Sequence, residues 1–246
     1  MRTPRENIGR VPSVPANGRA VPRPRAEAPV ATAGRVSVFL LWQLADSAFP
    51  TGGFAHSGGL EAAWQHGEMT RSALPGFLEA SVRQCGRAAL PLAAAAHREP
   101  ERLAELDLLC DAFTTNHVAN RASRQQGRAF WTAAARAFLP ELPPAPEPGH
   151  LAPVFGVVSR RLGLEADEAA RLFLFLHLRG LVSAAVRLGI VGPLEVQALQ
   201  HALTPVAEDT ATRSRTLTPD DLAQTAPLLD LWQGAQDRLY SRLFQS

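Results

Sequence analysis

The sequence predicts an all-α fold: a single compact multi-helix domain of about nine or ten helices over residues 36–246, behind a disordered extension at 1–35. Three observations carry this. The 246 residues are 46% hydrophobic but only 7% aromatic, with Ala and Leu dominant, and neither loses much rotamer freedom in a helix. Apolar residues recur at helical spacing, and no alternating run of useful strand length occurs. Ser and Thr precede the periodic segments, while Gly and Pro separate them.

Residues 1–34 hold six Pro and six Arg with little apolar periodicity, the composition of a disordered segment. Order begins near Val36 with a short apolar helix to Ala45. Asp46–Ser57, DSAFPTGGFAHS, is a loop, because Pro50 breaks the helix and Gly52 and Gly53 allow positive φ. Ser57 is placed to cap the next helix, with Glu61 in its first turn, and that helix runs to about His66. Ser72 begins another, reaching about Ala89, with Pro75 tolerated near its start. Pro91 interrupts before a small Ala-rich helix at 92–98. Pro100–Phe113 is amphipathic through Leu103, Leu106, Leu109 and Cys110, and Thr115–Phe138 continues the helical pattern. Six Pro and Gly149 within 139–153 mark the clearest internal loop.

Pro153–Leu162 reads as a short helix stopped at Gly163. Leu164–Gly189 contains the most apolar helix, with Asp167 and Glu168 near its positive end. Pro193 opens a pattern that runs to about Thr216, with a break or kink at Pro205. Thr218, Pro219, Asp220 and Asp221 form a helix start, and the last helix extends to about Arg242.

Composition excludes several functions. All 25 basic residues are Arg, so there is no Schiff-base lysine, phosphate-loop lysine or lysine general base. Residues 1–35 carry seven Arg against Glu6 and Glu27; this surplus exceeds the total charge of +2 and leaves the remaining chain slightly acidic. A nucleic-acid-binding domain would carry its basic residues on the folded surface, so no nucleic-acid partner is expected. Cys85 and Cys110 lie within helical patterns, form no metal or disulfide motif, and read as core thiols. No apolar leader is evident, and a reducing cytoplasmic location is expected. The apolar stretch Leu172–Val191 is long enough to span a bilayer, but His177, Arg179 and Arg187 interrupt it. Each central Arg would cost roughly 2.5–3.5 kcal/mol, so a buried core helix is expected and no membrane partner. Arg187 on that helix is expected to be buried and paired.

Few motifs survive inspection. Gly53–Gly58 has the spacing of a phosphate loop, but Gly59 and Leu60 replace the required Lys and hydroxyl. The seven His show no metal-cage spacing; His177 reads as a satisfied core residue, whereas His56 in the Gly-rich loop is the candidate for a transient role. Asp46, His56 and Ser57 are the residue types of a hydrolytic triad, without a nucleophile elbow. Arg121, Arg124 and Arg128 share one helical face, which reads equally as solvated or as a binding face, and Gly127 among them points to close helix packing. Leu239, Tyr240, Leu243 and Phe244 form an apolar cluster expected to be exposed, a common mark of a partner site.

Leu41–Glu61 (LWQLADSAFPTGGFAHSGGLE), Asn120–Phe130 (NRASRQQGRAF), Leu181–Pro193 (LVSAAVRLGIVGP) and the segment from Pro227 to Ser246 together resemble the urease accessory protein family called UreF. The resemblance implies an all-α homodimer with no enzymatic activity and no cofactor of its own. It implies a complex with the D-type accessory protein (H-type in some organisms) and the nickel-binding GTPase, a GTP-dependent chaperone that loads nickel into apo-urease. In that setting Pro50, Gly52, Gly53 and His56, the Arg121–Arg124–Arg128 face, and Leu239, Tyr240, Leu243 and Phe244 are the candidate partner contacts. His56 is also the candidate for a passing contact with nickel, GTP being bound by the partner. Two other readings remain: an activator that supplies an Arg to the GTPase, and a Ser57/His56 hydrolase.

Overall fold

The computed structural model describes residues 36–246; the expectation for 1–35 lies outside them. Among the described residues the chain forms eleven α-helices and no strand. In order they are α1 (Val38–Ala45), α2 (Leu60–Gln65), α3 (Leu74–Ala88), α4 (Leu90–Arg98), α5 (Leu103–Phe113), α6 (His117–Ala137), α7 (Leu151–Arg161), α8 (Ala166–Arg187), α9 (Pro193–Ala202), α10 (Thr204–Ser214) and α11 (Pro227–Ala235). The expected 193–216 segment is two helices, because Pro205 follows a turn at Leu203 and cannot donate into the preceding helix.

α8 is the hub. It is long and apolar enough to cross a bilayer, but Leu174, Leu178, Leu181 and Ala185 are buried where α3, α4 and α10 pack on it. α4 and α7 form the most extensive helix pair, since Gly156 lets the α7 backbone lie against the carbonyl of Ala93; a Cβ there would sit 2.9 Å from that of Ala96. Gly127 of α6 plays the same part: a Cβ would meet the backbone of Gly149 and lie 2.6 Å from the carbonyl carbon of His150. The close packing expected at Gly127 is therefore present.

A row of rings joins the helices to the Gly-rich loop. Phe49 of the loop contacts Phe130 at 5.9 Å, Phe130 stacks on Phe155 at 5.3 Å, and Phe155 meets Phe173 edge-on at 5.0 Å. Such pairs contribute about 0.5–1.5 kcal/mol each beyond their buried area. A buried polar cluster pins the Pro-rich 139–150 loop. Asp107 accepts the backbone N–H of Gly149 (2.6 Å) and His150 (2.7 Å), and the His150 ring lies between Ser123 Oγ (3.1 Å) and Asp111 Oδ1 (3.0 Å).

Cys85 and Cys110 are buried, and desolvation pushes both thiols up to about 12. They are core thiols, as expected. His177 is half-buried with Nε2 2.9 Å from Ser81 Oγ, and burial lowers its pKa to about 4.

The break expected at Pro91 is present: α3 ends at Ala88, and Pro91 sits in the first turn of α4, where its missing N–H costs nothing. One local expectation fails. The last helix is not continuous from 218 to 242. Thr218 and Asp221 close a capping box on a single 3-10 turn, and the chain then runs extended, with Thr225 Oγ1 (2.7 Å) and Ala226 N–H (3.0 Å) donating to Gln84 Oε1. α11 starts only at Pro227 and gives way to another 3-10 turn at Gln236.

Candidate functional site

Residues far apart in sequence converge on the Gly-rich loop. Asp46 turns the chain out of α1 by accepting the Ala48 N–H at 2.8 Å, while Arg179 from α8 donates to the last α1 carbonyl, Ala45. Gly52 has φ 71° and Gly58 and Gly59 have φ 60° and 89°, so the loop ends in a left-handed double glycine and α2 begins at Leu60. Gly59 is also a contact: a Cβ there would lie 2.8 Å from the Gln233 nitrogen of α11.

The 236–246 segment lies along this loop. Ser57 donates from its N–H (2.5 Å) and its hydroxyl (2.8 Å) to the carbonyl of Ser246, and Gln245 N–H donates to Ala55 at 2.7 Å. Glu61 is the anchor. Its carboxylate is buried and accepts the N–H of Leu243 (2.6 Å) and Phe244 (3.0 Å), together with the Gln236 side-chain amide (2.6 Å). Arg187 lies over the Phe244 ring at 4.3 Å and the Phe54 ring at 5.5 Å, and donates to the Phe54 carbonyl. It is exposed and cation–π bonded, not buried and ion-paired as expected, because α8 ends there and its side chain leaves the core.

His56 faces the same segment. Its Nδ1 is 2.8 Å from Ser246 Oγ, and burial, then the nearby Arg121 charge, lowers its pKa to about 4, so the ring is neutral at pH 7. His56 bonds Ser246 and not Ser57, whose hydroxyl is taken by the Ser246 carbonyl; the Ser57/His56 dyad of a hydrolase is not formed. Among the described residues no three His, Cys, Asp or Glu side chains converge to hold a metal ion.

The predicted site residues divide accordingly. Pro50 and Gly52 are exposed, and Gly53 packs near the Gln126 side chain of α6. Arg121 pairs with Asp237 at 2.9 Å, whose carboxyl it holds below the usual range, and Asp237 also receives Arg242 (2.9 Å) and His117 (3.2 Å). Arg128 pairs with Glu147 at 3.0 Å. Arg124 has no ion-pair partner among the described residues, and its buried Nε has no hydrogen-bond partner. The three Arg thus form no uniform cationic face. Tyr240 is fully exposed and Leu243 is 52% exposed, Leu239 is half-buried, and Phe244 is buried at 3%. The exposure expected of Phe244 fails because its ring closes under Arg187.

Glu61, Gln236, Asp237 and Ser246 are the residues that sequence reasoning missed. A Glu in a helix first turn reads as a dipole partner, and nothing in its local pattern signals backbone donors 182 positions away.

The sequence profile of the UreF family matches residues 69–204. Urease accessory protein F of Arabidopsis thaliana is 38% identical over 221 residues, covering 83% of this chain and 91% of that protein. The protein of the same name from Oryza sativa subsp. japonica is 35% identical over 222 residues, 85% of each chain. Urease accessory protein UreF of Mycobacterium tuberculosis (strain ATCC 25618 / H37Rv) is 36% identical over 215 residues, 85% of this chain and 99% of that one. Fold and relatives alike define the class, an all-helical urease accessory protein. Within that class, this chain belongs to the UreF family.

Proposed function

We propose that this protein is a scaffold of urease maturation, coupling the D-type (H-type) accessory protein to the nickel-binding GTPase within a GTP-dependent chaperone complex that inserts nickel into apo-urease. One observation carries the reading. The Gly-rich loop and the 236–246 segment form one unit joined by inward hydrogen bonds through Ser57, Glu61 and Ser246, while Pro50, Phe54, Tyr240 and Leu243 face outward. Exposed apolar residues on a rigid turn are the features of a protein-docking surface. The chain needs no cofactor for this role; GTP belongs to the partner and nickel is cargo. The setting is cytoplasmic, and a second copy would cover the apolar groove flanked by the exposed Phe39, Trp42 and Phe175. The test is capture of the two accessory partners by the full chain. Tyr240→Ala with Leu243→Ala should lose capture while the melting curve is retained, since both side chains are exposed. Undiminished capture refutes docking at this surface.

His56 fits a role in passing nickel. A neutral imidazole ligates the ion without first losing a proton, and a single His holds it weakly enough to release it. In a reconstituted system His56→Ala should lower urease activation when nickel is limiting and leave GTP hydrolysis unchanged. Superimposable activation curves refute the role. The alternative of an activating Arg has one observation in its favour, the unpaired Arg124. It requires Arg124→Gln to slow GTP turnover by the partner.

A further inference from the structure

We propose that a second site, a cleft bounded by α4, α7, the start of α8 and the end of α10, binds a small amphipathic monocarboxylate. The cleft holds about 280 Å³, just below the range of drug-sized pockets, which sets the ligand at metabolite scale. Its inner wall is buried and apolar, formed by Leu90, Ala93, Phe155 and Ala169. Protein interiors are close-packed, and the short side chains of Ala93 and Ala169 leave this space unfilled.

The wall carries no charge and little polar demand. The hydroxyls of Ser159 and Ser214 donate back to their own helices, to Gly156 (3.0 Å) and Ala211 (2.8 Å). His97 places Nε2 2.8 Å from the Leu164 carbonyl, which can only accept, so Nε2 carries the proton of a neutral ring. Burial holds that ring's pKa below its ordinary value.

The rim selects the sign of the ligand. Arg98 and Arg215 are exposed at the mouth, and a single carboxylate, Asp167, lies there, 2.5 Å from Arg215. Arg98 has no ion-pair partner among the described residues. Arg160 and Glu165, whose charges also reach His97, offset each other, so Arg98 is the guanidinium at the mouth that no carboxylate among the described residues takes. The positive end of the 22-residue α8 is already met by Glu165, Asp167 and Glu168 and adds nothing to the rim. An apolar interior under a guanidinium rim fits a short carbon body ending in a carboxylate. The cleft and Arg187 lie at opposite ends of α8, roughly 30 Å apart at 1.5 Å per residue, so this site is separate from the docking surface.

Benzoate is a suitable probe, with benzamide and benzylamine as neutral and cationic controls, titrated calorimetrically into the full chain. Benzoate should bind saturably below about 1 mM, benzamide at least tenfold more weakly, and benzylamine not at all. Arg98→Gln with Arg215→Gln should weaken benzoate about tenfold. Ala170→Leu, at a half-buried wall position, should abolish binding without lowering the melting temperature. No saturation by benzoate up to about 10 mM, equal binding of benzamide, or unchanged binding to the Arg double variant overturns the proposal. The Arg variants lie on the surface, so they decide the matter even if Ala170→Leu fails to fold.

Discussion

Glu61→Gln isolates the anchor of the composite site. In the native protein the buried carboxylate accepts two backbone N–H groups, from Leu243 and Phe244, and the Gln236 amide. The substitution keeps shape and volume but replaces one acceptor oxygen with an NH₂ that must face a donor. A hydrogen bond to a charged acceptor contributes about 1.5–3 kcal/mol, and a stranded buried donor costs about 1–3 kcal/mol. One bond weakened and one lost gives a net destabilisation of the 239–246 segment of roughly 2–4 kcal/mol. At about 1.4 kcal/mol per factor of ten, the Leu243 and Phe244 amides should exchange with solvent roughly 30- to 1,000-fold faster. Hydrogen exchange of the 239–246 peptide, read beside that of a core peptide from α8, is the assay. Acceleration confined to 239–246 is the expected outcome, since α8 keeps its own packing. Unchanged exchange at Leu243 and Phe244 refutes the claim that Glu61 holds the segment.

Three further outcomes follow from particular contacts. Arg187→Ala removes two ring contacts at an exposed position, so it should cost about 1–2 kcal/mol rather than the ~3–5 kcal/mol of a broken buried pair. A melting point lowered by more than about 10 °C would contradict that. Gly127→Ala forces a Cβ onto the backbone of residues 149–151 and should destabilise by about 1–3 kcal/mol, whereas Gly180→Ala, with open space around it, should stabilise by about 0.5–1 kcal/mol; urea titrations of the pair check both. Burial lowers His56 and His177 to about 4 in the folded chain against 6.5 for a free imidazole, so each favours the fold above pH 6.5 and withdraws that support as pH falls toward 4. Each should contribute up to about 1.4 kcal/mol per pH unit across that window, and His177→Gln should flatten the fall in stability between pH 6.5 and 5.

The helices were legible because their causes are local. Periodic Leu and Ala, Pro75 and Pro193 in first turns, and Asp167 and Glu168 at the start of α8 act within one or two turns. The chain from 218 to 242 was misread for the same reason. Thr218 and Asp221 do make a capping box, but Gln84, over 130 residues away, holds the following backbone extended. Sequence marked Pro50, Gly52, Gly53 and His56 and, separately, Leu239 to Phe244, yet gave no sign that the two groups touch. Their bond runs through Glu61, Ser57 and Ser246, ordinary residues whose roles exist only in three dimensions. Arg187 was misplaced because an Arg in an apolar helix looks buried, and only the end of α8 shows where its side chain escapes.

The Ser57–Ser246 contact closes a span of 189 residues. At about 5–20 residues per second, the Gly-rich loop is synthesised roughly 10–40 s before the partner of Ser57. For that interval Glu61 keeps only the Gln65 amide of its own helix as donor, and Arg187 has no Phe244 ring beneath it. A growing chain therefore cannot present the finished surface early, however well its other helices have packed. A chain cut short before residue 236 would still carry most of the core but never the surface. The geometry thus makes the 236–246 segment a precondition of the composite surface, which no stretch of chain before it forms alone.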